Sequence, residues 1–168
     1  MSVLRPLEPS DAPAVFAAAD LSRDALRRWM VWYSDSYGLA DAQMWLGQAV
    51  EAHAAGTDFH FAVTDAGGHL VGVLSIESVD KESGRGMLGY WLATPASGQG
   101  LGKRAIAEAL TWARRQPILR VIWAVVAEAN ERSRRVLQAN GFARVSARER
   151  DERGDVPQVY EIDLRMTV

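Results

Sequence analysis

Three glycines at alternate positions, Gly98-Gln99-Gly100-Leu101-Gly102, stand between an apolar segment and an amphipathic one. Glycine lets a negatively charged oxygen reach main-chain N–H groups with no Cβ in the way. A helix starting at such a loop adds unpaired N–H groups and the positive end of its dipole. The spacing therefore predicts a cradle for a phosphate group, because a tight turn alone needs fewer glycines. The stretch from Gly86 to Gly102 carries no charged side chain, and Lys103 and Arg104 resume the charges just beyond it. Main chain, not side chains, is expected to do the binding in that stretch.

Two phosphate ligands can be weighed on pattern alone. A nucleoside triphosphate loop reads G-x-x-x-x-G-K-[ST]. Gly102-Lys103 would end it, but Ser97 replaces its first glycine and Arg104 its metal-binding hydroxyl, which excludes that ligand. Gly100-Leu101-Gly102-Lys103-Arg104-Ala105 does fit the dinucleotide pattern G-x-G-x-x-A, which would make the chain a NAD-binding oxidoreductase. That reading needs an acidic residue at the end of the next strand, and Glu128 stands somewhat late for it. It also needs a doubly wound parallel sheet.

The elements that must position this loop follow from hydrophobic period. Val3 to Leu7 reads as a first strand, and Ser10, Ser22 and Asp41 as caps of three helices reaching Ala19, Trp32 and His53. Phe59, Phe61 and Val63 alternate with other residues, and a turn at Asp65–Gly68 returns the chain through His69 to Ser78. Met87 to Ala93 and Val121 to Ala127 are apolar on both faces, as central strands are. Between them an amphipathic helix spans Gln99 to Arg115. Asn130 caps a short helix that Gly141 closes, and Ala143–Arg150 with Val156–Met166 forms a last hairpin. The sum is a mixed α/β fold with a mostly antiparallel sheet. The strand–helix–strand unit at 87–127 is parallel, and helices cover both faces.

Composition narrows the chemistry. The chain has 168 residues, a length for a single domain over 1–168. It has no cysteine, which excludes disulfides, thiolate metal sites and a cysteine nucleophile. His53, His60 and His69 show no metal-ligand spacing, so no metal is expected. Nineteen basic against 21 acidic residues argue against a nucleic-acid partner. The charge-free stretch is too rich in glycine to span a membrane. No N-terminal stretch has the order of a signal peptide, and a cytoplasmic location is expected.

Gly89-Tyr90-Trp91-Leu92-Ala93 followed by Ser97-Gly98-Gln99-Gly100-Leu101-Gly102 resembles the acetyl-CoA loop of the GCN5-related N-acetyltransferase (GNAT) superfamily. Asn130-Glu131-Arg132-Ser133, with Val136-Leu137 and Gly141-Phe142, resembles the next motif of that superfamily. Leu4-Arg5-Pro6-Leu7, Asp11 and the cluster from Leu26 to Trp32 are similar to its RimJ/RimL-like branch, which includes ribosomal-protein N-terminal acetyltransferases. The resemblance implies a sheet splayed between the strands at Met87–Ala93 and Val121–Ala127. It implies transfer of an acetyl group from acetyl-CoA to a primary amine by direct attack in a ternary complex. The acceptor would be a protein N-terminus, including that of a ribosomal protein, or a small-molecule amine. A homodimer is a further expectation. A module that binds CoA or a nucleotide without catalysis is the alternative from another class. Met87 stands where many relatives carry a carboxylate, and no tyrosine stands near Leu137.

Roles follow from the resemblance. Gly98, Gln99, Gly100, Leu101, Gly102 and Lys103 would hold the pyrophosphate. Leu92, Ala93, Thr94 and Asn130 would bond to the pantetheine arm. Ser133 lies on the inward stripe of its helix with Val136 and Leu137, and would donate to the departing thiolate. On periodicity alone it is as well read as a serine bonding to its own helix. Glu77 or Asp58 could take a proton from the amine, and Glu77 ends a central strand near the expected cleft. Trp29, Trp32 and Tyr33 would wall the acceptor pocket, or else pack on the core.

Overall fold

The computed structural model describes residues 2–166, in which seven strands form one sheet of order β1-β2-β3-β4-β5-β7-β6. The strands are β1 (Leu4–Pro6), β2 (Phe59–Thr64), β3 (Leu70–Asp80), β4 (Arg85–Leu92), β5 (Val121–Val126), β6 (Ala143–Ala147) and β7 (Gln158–Asp163). The helices are α1 (Ala12–Asp20), α2 (Arg23–Trp29), α3 (Leu39–Ala55), α4 (Leu101–Ala113) and α5 (Glu131–Gln138). Neighbouring strands pair antiparallel throughout, except for β4 with β5. The mixed sheet expected from the sequence is the sheet observed, and it is not the doubly wound sheet that a dinucleotide site needs.

Strand alternation divides the core between the two faces. Leu74, Ile76, Leu88 and Ile122 are buried with Ile106 of α4 and Leu137 of α5. Ala62, Val73 and Trp91 are buried on the other face with α1, α2 and α3, through Val15, Leu26 and Leu46. Tyr90 therefore faces α4 and α5, whereas Glu77, Met87 and Trp91 face α1–α3.

Expected and observed elements differ chiefly at their ends. The second helix was expected to reach Trp32 but stops at Trp29, where Met30 turns extended at φ −107° and ψ 120°. The turn lets Trp32 stack against Tyr33, Tyr37 and Trp91, with ring centroids 5.8, 5.5 and 6.3 Å away. Aromatic packing outweighs local helix preference here. Ser22 stands at the N-cap of α2, but its side chain makes no cap bond. Its hydroxyl donates to the Ala18 carbonyl (3.0 Å) and accepts from the Thr94 N–H (2.8 Å). Asp41 lies inside the first turn of α3 and reaches back to accept from the Gly38 N–H at 2.8 Å. The Asn130 cap and the Gly141 closure are as expected. Asn130 Oδ1 accepts from the Ser133 N–H at 3.2 Å. The Phe142 N–H returns to the Leu137 carbonyl at 3.2 Å.

Candidate functional site

The parallel seam between β4 and β5 is short. Arg85, Gly86 and Met87 pair with Val121, Ile122 and Trp123, and no further pair is formed as both strands continue. The Arg85–Glu161 ion pair ties β4 to β7 at the closed end. Beyond Met87 the strands splay. The Ala93 N–H is bonded to the Val71 carbonyl of β3 at 2.7 Å. By alternation the main-chain groups of Leu92 and Tyr90 then point away from β3, into the gap. Leu92 thus offers the open main chain that the sequence suggested. The amides of Ala93 and Thr94 do not, because they bond to Val71 and to Ser22.

A cavity of about 450 Å³ occupies the α4/α5 side of this gap. Gly98, Gly100, Leu101, Gly102 and Lys103 line its loop end, and Asn130 and Ser133 line the α5 end with Leu92. Gly98 and Gly100 have φ of +87° and +76°, which side-chain-bearing residues rarely adopt. A Cβ at Gly100 would meet nothing within 4 Å, so any side chain there would project into the open mouth. The geometry fits a phosphate-bearing ligand whose chain runs along the exposed edge of β4. Gln99, Ala93 and Thr94 stay outside the lining. Gln99 bonds instead to the Pro95 carbonyl at 3.0 Å and braces the loop.

Two residues without an assigned role in the sequence enter this cavity. The Arg132 guanidinium comes within 3.5 Å of where a Gly98 Cβ would be, which sets a cation beside the cradle. The Tyr90 hydroxyl donates to Ser133 Oγ at 3.1 Å. Arg132 had a signal in its place one residue before Ser133, whereas the meeting of β4 with α5 had none.

A larger cavity of about 1110 Å³ lies on the α1–α3 side. Trp29, Met30, Tyr90 and Trp91 line both cavities, so the two meet at the splayed end of β4. Trp29 and Trp32 form part of its wall, with Tyr37 and Trp45, which the sequence reading did not single out. Tyr33 is 7% exposed and packs edge-on behind Trp32, supporting the wall without lining it. Arg148, Asp151, Arg153 and Asp155 of the β6–β7 connection line the far side. Arg153 donates to the Arg28 carbonyl at 3.4 Å, which brings that connection onto the end of α2.

Glu77 lines this larger cavity and is directly paired with Met87. A carboxylate on β3 thereby stands across the strand pair from Met87. His60 is 6% exposed, its Nδ1 lies 3.8 Å from Glu77 Oε1, and Trp45 packs edge-on against its ring. Burial pushes the imidazole below its ordinary range, against the pull of Glu77, so the ring is neutral at neutral pH. Asp58 has a different task. It accepts from the Ser78 N–H at 2.6 Å and holds an irregularity in β3 just after Glu77, where Ser78 takes φ +51°.

The acetyltransferase (GNAT) domain family matches residues 2–143. This chain belongs to the GNAT acetyltransferase family. It is similar to YdaF of Bacillus subtilis (strain 168), by name a ribosomal N-acetyltransferase, at 24% identity over 83% of this chain and 76% of that protein. Its fold matches RimL, a ribosomal L7/L12 α-N-protein acetyltransferase solved with coenzyme A. That match has a TM-score of 0.89 and 20% identity, over 95% of this chain and 92% of that one. It also matches the microcin C7 self-immunity acetyltransferase MccE solved with acetyl-CoA and AMP. The TM-score there is 0.88 at 15% identity, over 95% and 91% of the two chains. The activity is therefore N-acetyl transfer. Among the described residues, no helix is long and apolar enough to cross a membrane.

Proposed function

We propose that this acetyltransferase moves the acetyl group of acetyl-CoA onto a protein N-terminal α-amine, by direct attack with both substrates bound. The observation that carries the reading is the meeting of two cavities at the splayed end of β4. A donor entering from the α4/α5 face and an acceptor entering from the α1–α3 face reach one point, with no covalent relay through the protein. The amides of Gly98 to Gly102, with Lys103 and Arg132, would hold the pyrophosphate. The main chain of Leu92 and the Asn130 side chain would bond to the pantetheine arm. Ser133 would donate a hydrogen bond to the departing sulfur, and Glu77 would take the proton that the amine gives up.

The rim of the larger cavity supports a macromolecular acceptor. Val31 is 86% and Met44 63% exposed beside it, apolar surface that a peptide chain could cover. The proteins named as ribosomal N-acetyltransferases point to a ribosomal-protein N-terminus as the acceptor and to the cytoplasm as the location. The test is thiol release from acetyl-CoA against ribosomal-protein N-terminal peptides and small polyamines. Turnover on peptides, with little on polyamines, is expected. Preference for the small amines would overturn the acceptor assignment. CoA binding with no turnover on any acceptor would return the chain to the non-catalytic sensor reading.

A further inference from the structure

A serine hydroxyl has one hydrogen to donate and can rotate it toward any nearby acceptor. On a helix the commonest acceptor is the carbonyl one turn back, and a serine so engaged has no proton to offer a ligand. Ser133 is the second residue after the start of α5 and half-buried in the smaller cavity. Its oxygen accepts from the Tyr90 hydroxyl at 3.1 Å. Tyr90 comes from the β4 edge that borders the splay, and its ring is packed under the glycine loop. A Cβ at Gly102 would lie 3.4 Å from Tyr90 Cε2. The ring therefore stands in ordinary contact range of the loop's third glycine. Burial pushes the phenol above its ordinary range, so it stays protonated and keeps a hydrogen to donate.

We infer that Tyr90 is a positioning residue whose hydroxyl occupies one lone pair of Ser133 Oγ and turns the serine's own hydrogen toward the cavity. This rests on Ser133 acting at the sulfur, as proposed above. During transfer the amine nitrogen bonds to the acetyl carbon, the carbon–sulfur bond breaks, and its electron pair remains on sulfur. The amine's surplus proton passes to Glu77. Ser133 supplies a hydrogen bond to that sulfur and not a proton, which the sulfur later takes from water. Tyr90 keeps its proton throughout.

The test is ultraviolet titration of the thiol of bound CoA, which needs no acceptor. In the wild-type complex the thiol should ionise at lower pH than free CoA. Ser133→Ala should abolish the shift, and Tyr90→Phe should remove part of it while CoA affinity and melting temperature hold. Tyr90→Phe should change nothing further in the Ser133→Ala background. With an accepted amine, Tyr90→Phe should lower kcat about five- to tenfold at unchanged KM for acetyl-CoA. The inference is overturned if Tyr90→Phe titrates like wild type, or shifts the thiol equally without Ser133. If the wild-type thiol titrates like free CoA although CoA binds, Ser133 is not at the sulfur. The proposed mechanism then fails first and this inference with it.

Discussion

The smaller cavity is lined at its loop end by one glycine-rich run of chain, while the larger one is lined mostly by side-chain-bearing residues gathered from several elements. Gly98 and Gly100 to Lys103 belong to one short run, which two positive-φ glycines turn. Trp32 and Tyr37 of the α2–α3 connection, Trp45 of α3, Glu77 of β3 and Asp155 of the β6–β7 connection come from four separate parts of the chain. The contrast separates what a family shares from what its members vary. A cradle of backbone amides suits one ligand group whatever the acceptor is. A wall of side chains can be rebuilt residue by residue. The family match ends at residue 143, before Arg148 to Pro157 contribute the far wall of the larger cavity.

Four changes would break or sharpen this contrast, and the largest effect belongs to Glu77. Glu77→Gln should lower kcat by about a hundredfold, with CoA affinity unchanged. Gly100→Val should act on the other side. It forces a β-branched residue to φ +76° and fills the cradle mouth, so calorimetry should show CoA binding at least about tenfold weaker. Trp32→Ala should raise the acceptor KM only about fivefold, since Trp32 is 46% exposed, and leave CoA affinity alone. Equal loss of both affinities in either variant would erase the distinction between the cavities. The smallest effect is the pH dependence of stability through His60. Its native pKa lies below 6.5, so the unfolded chain takes up the proton first. Stability is then fully present above about pH 6.5 and falls on acidification toward the lowered native value, by less than one proton's slope. His60→Phe should lack this limb in chemical denaturation measured across that range.

Much of the smaller cavity was legible because its signals are local. The alternate glycines, the Asn130 cap and the Gly141 closure each act within a few residues, and each stands where the sequence put it. The order of sheet elements was legible from apolar runs. The larger cavity was less so. Trp29 and Trp32 were read as wall or core, but Trp32 reaches the wall only because α2 stops early at Met30. Tyr37, Trp45 and the Arg153 contact to Arg28 depend on elements far apart in sequence, for which no short-range pattern exists. Tyr90 was visible as part of a motif, but its bond to Ser133 spans β4 and α5. Asp58 shows the reverse case. It is an exposed carboxylate near the cleft by sequence, and it serves the backbone of Ser78.

The three-pair seam between β4 and β5 has a mechanical consequence. Across that boundary the sheet is two half-sheets, β1 to β4 and β5 to β7, laced at one end and open at the other. A ligand lying along Leu92 in the gap would act as a cross-brace between them. Its binding energy would then appear as resistance to prying the halves apart, about 2.7 kcal/mol at a hundredfold excess over Kd. The amides of Tyr90 and Leu92 sit in the middle of a sheet, yet they should exchange with solvent as edge amides do until that brace is in place.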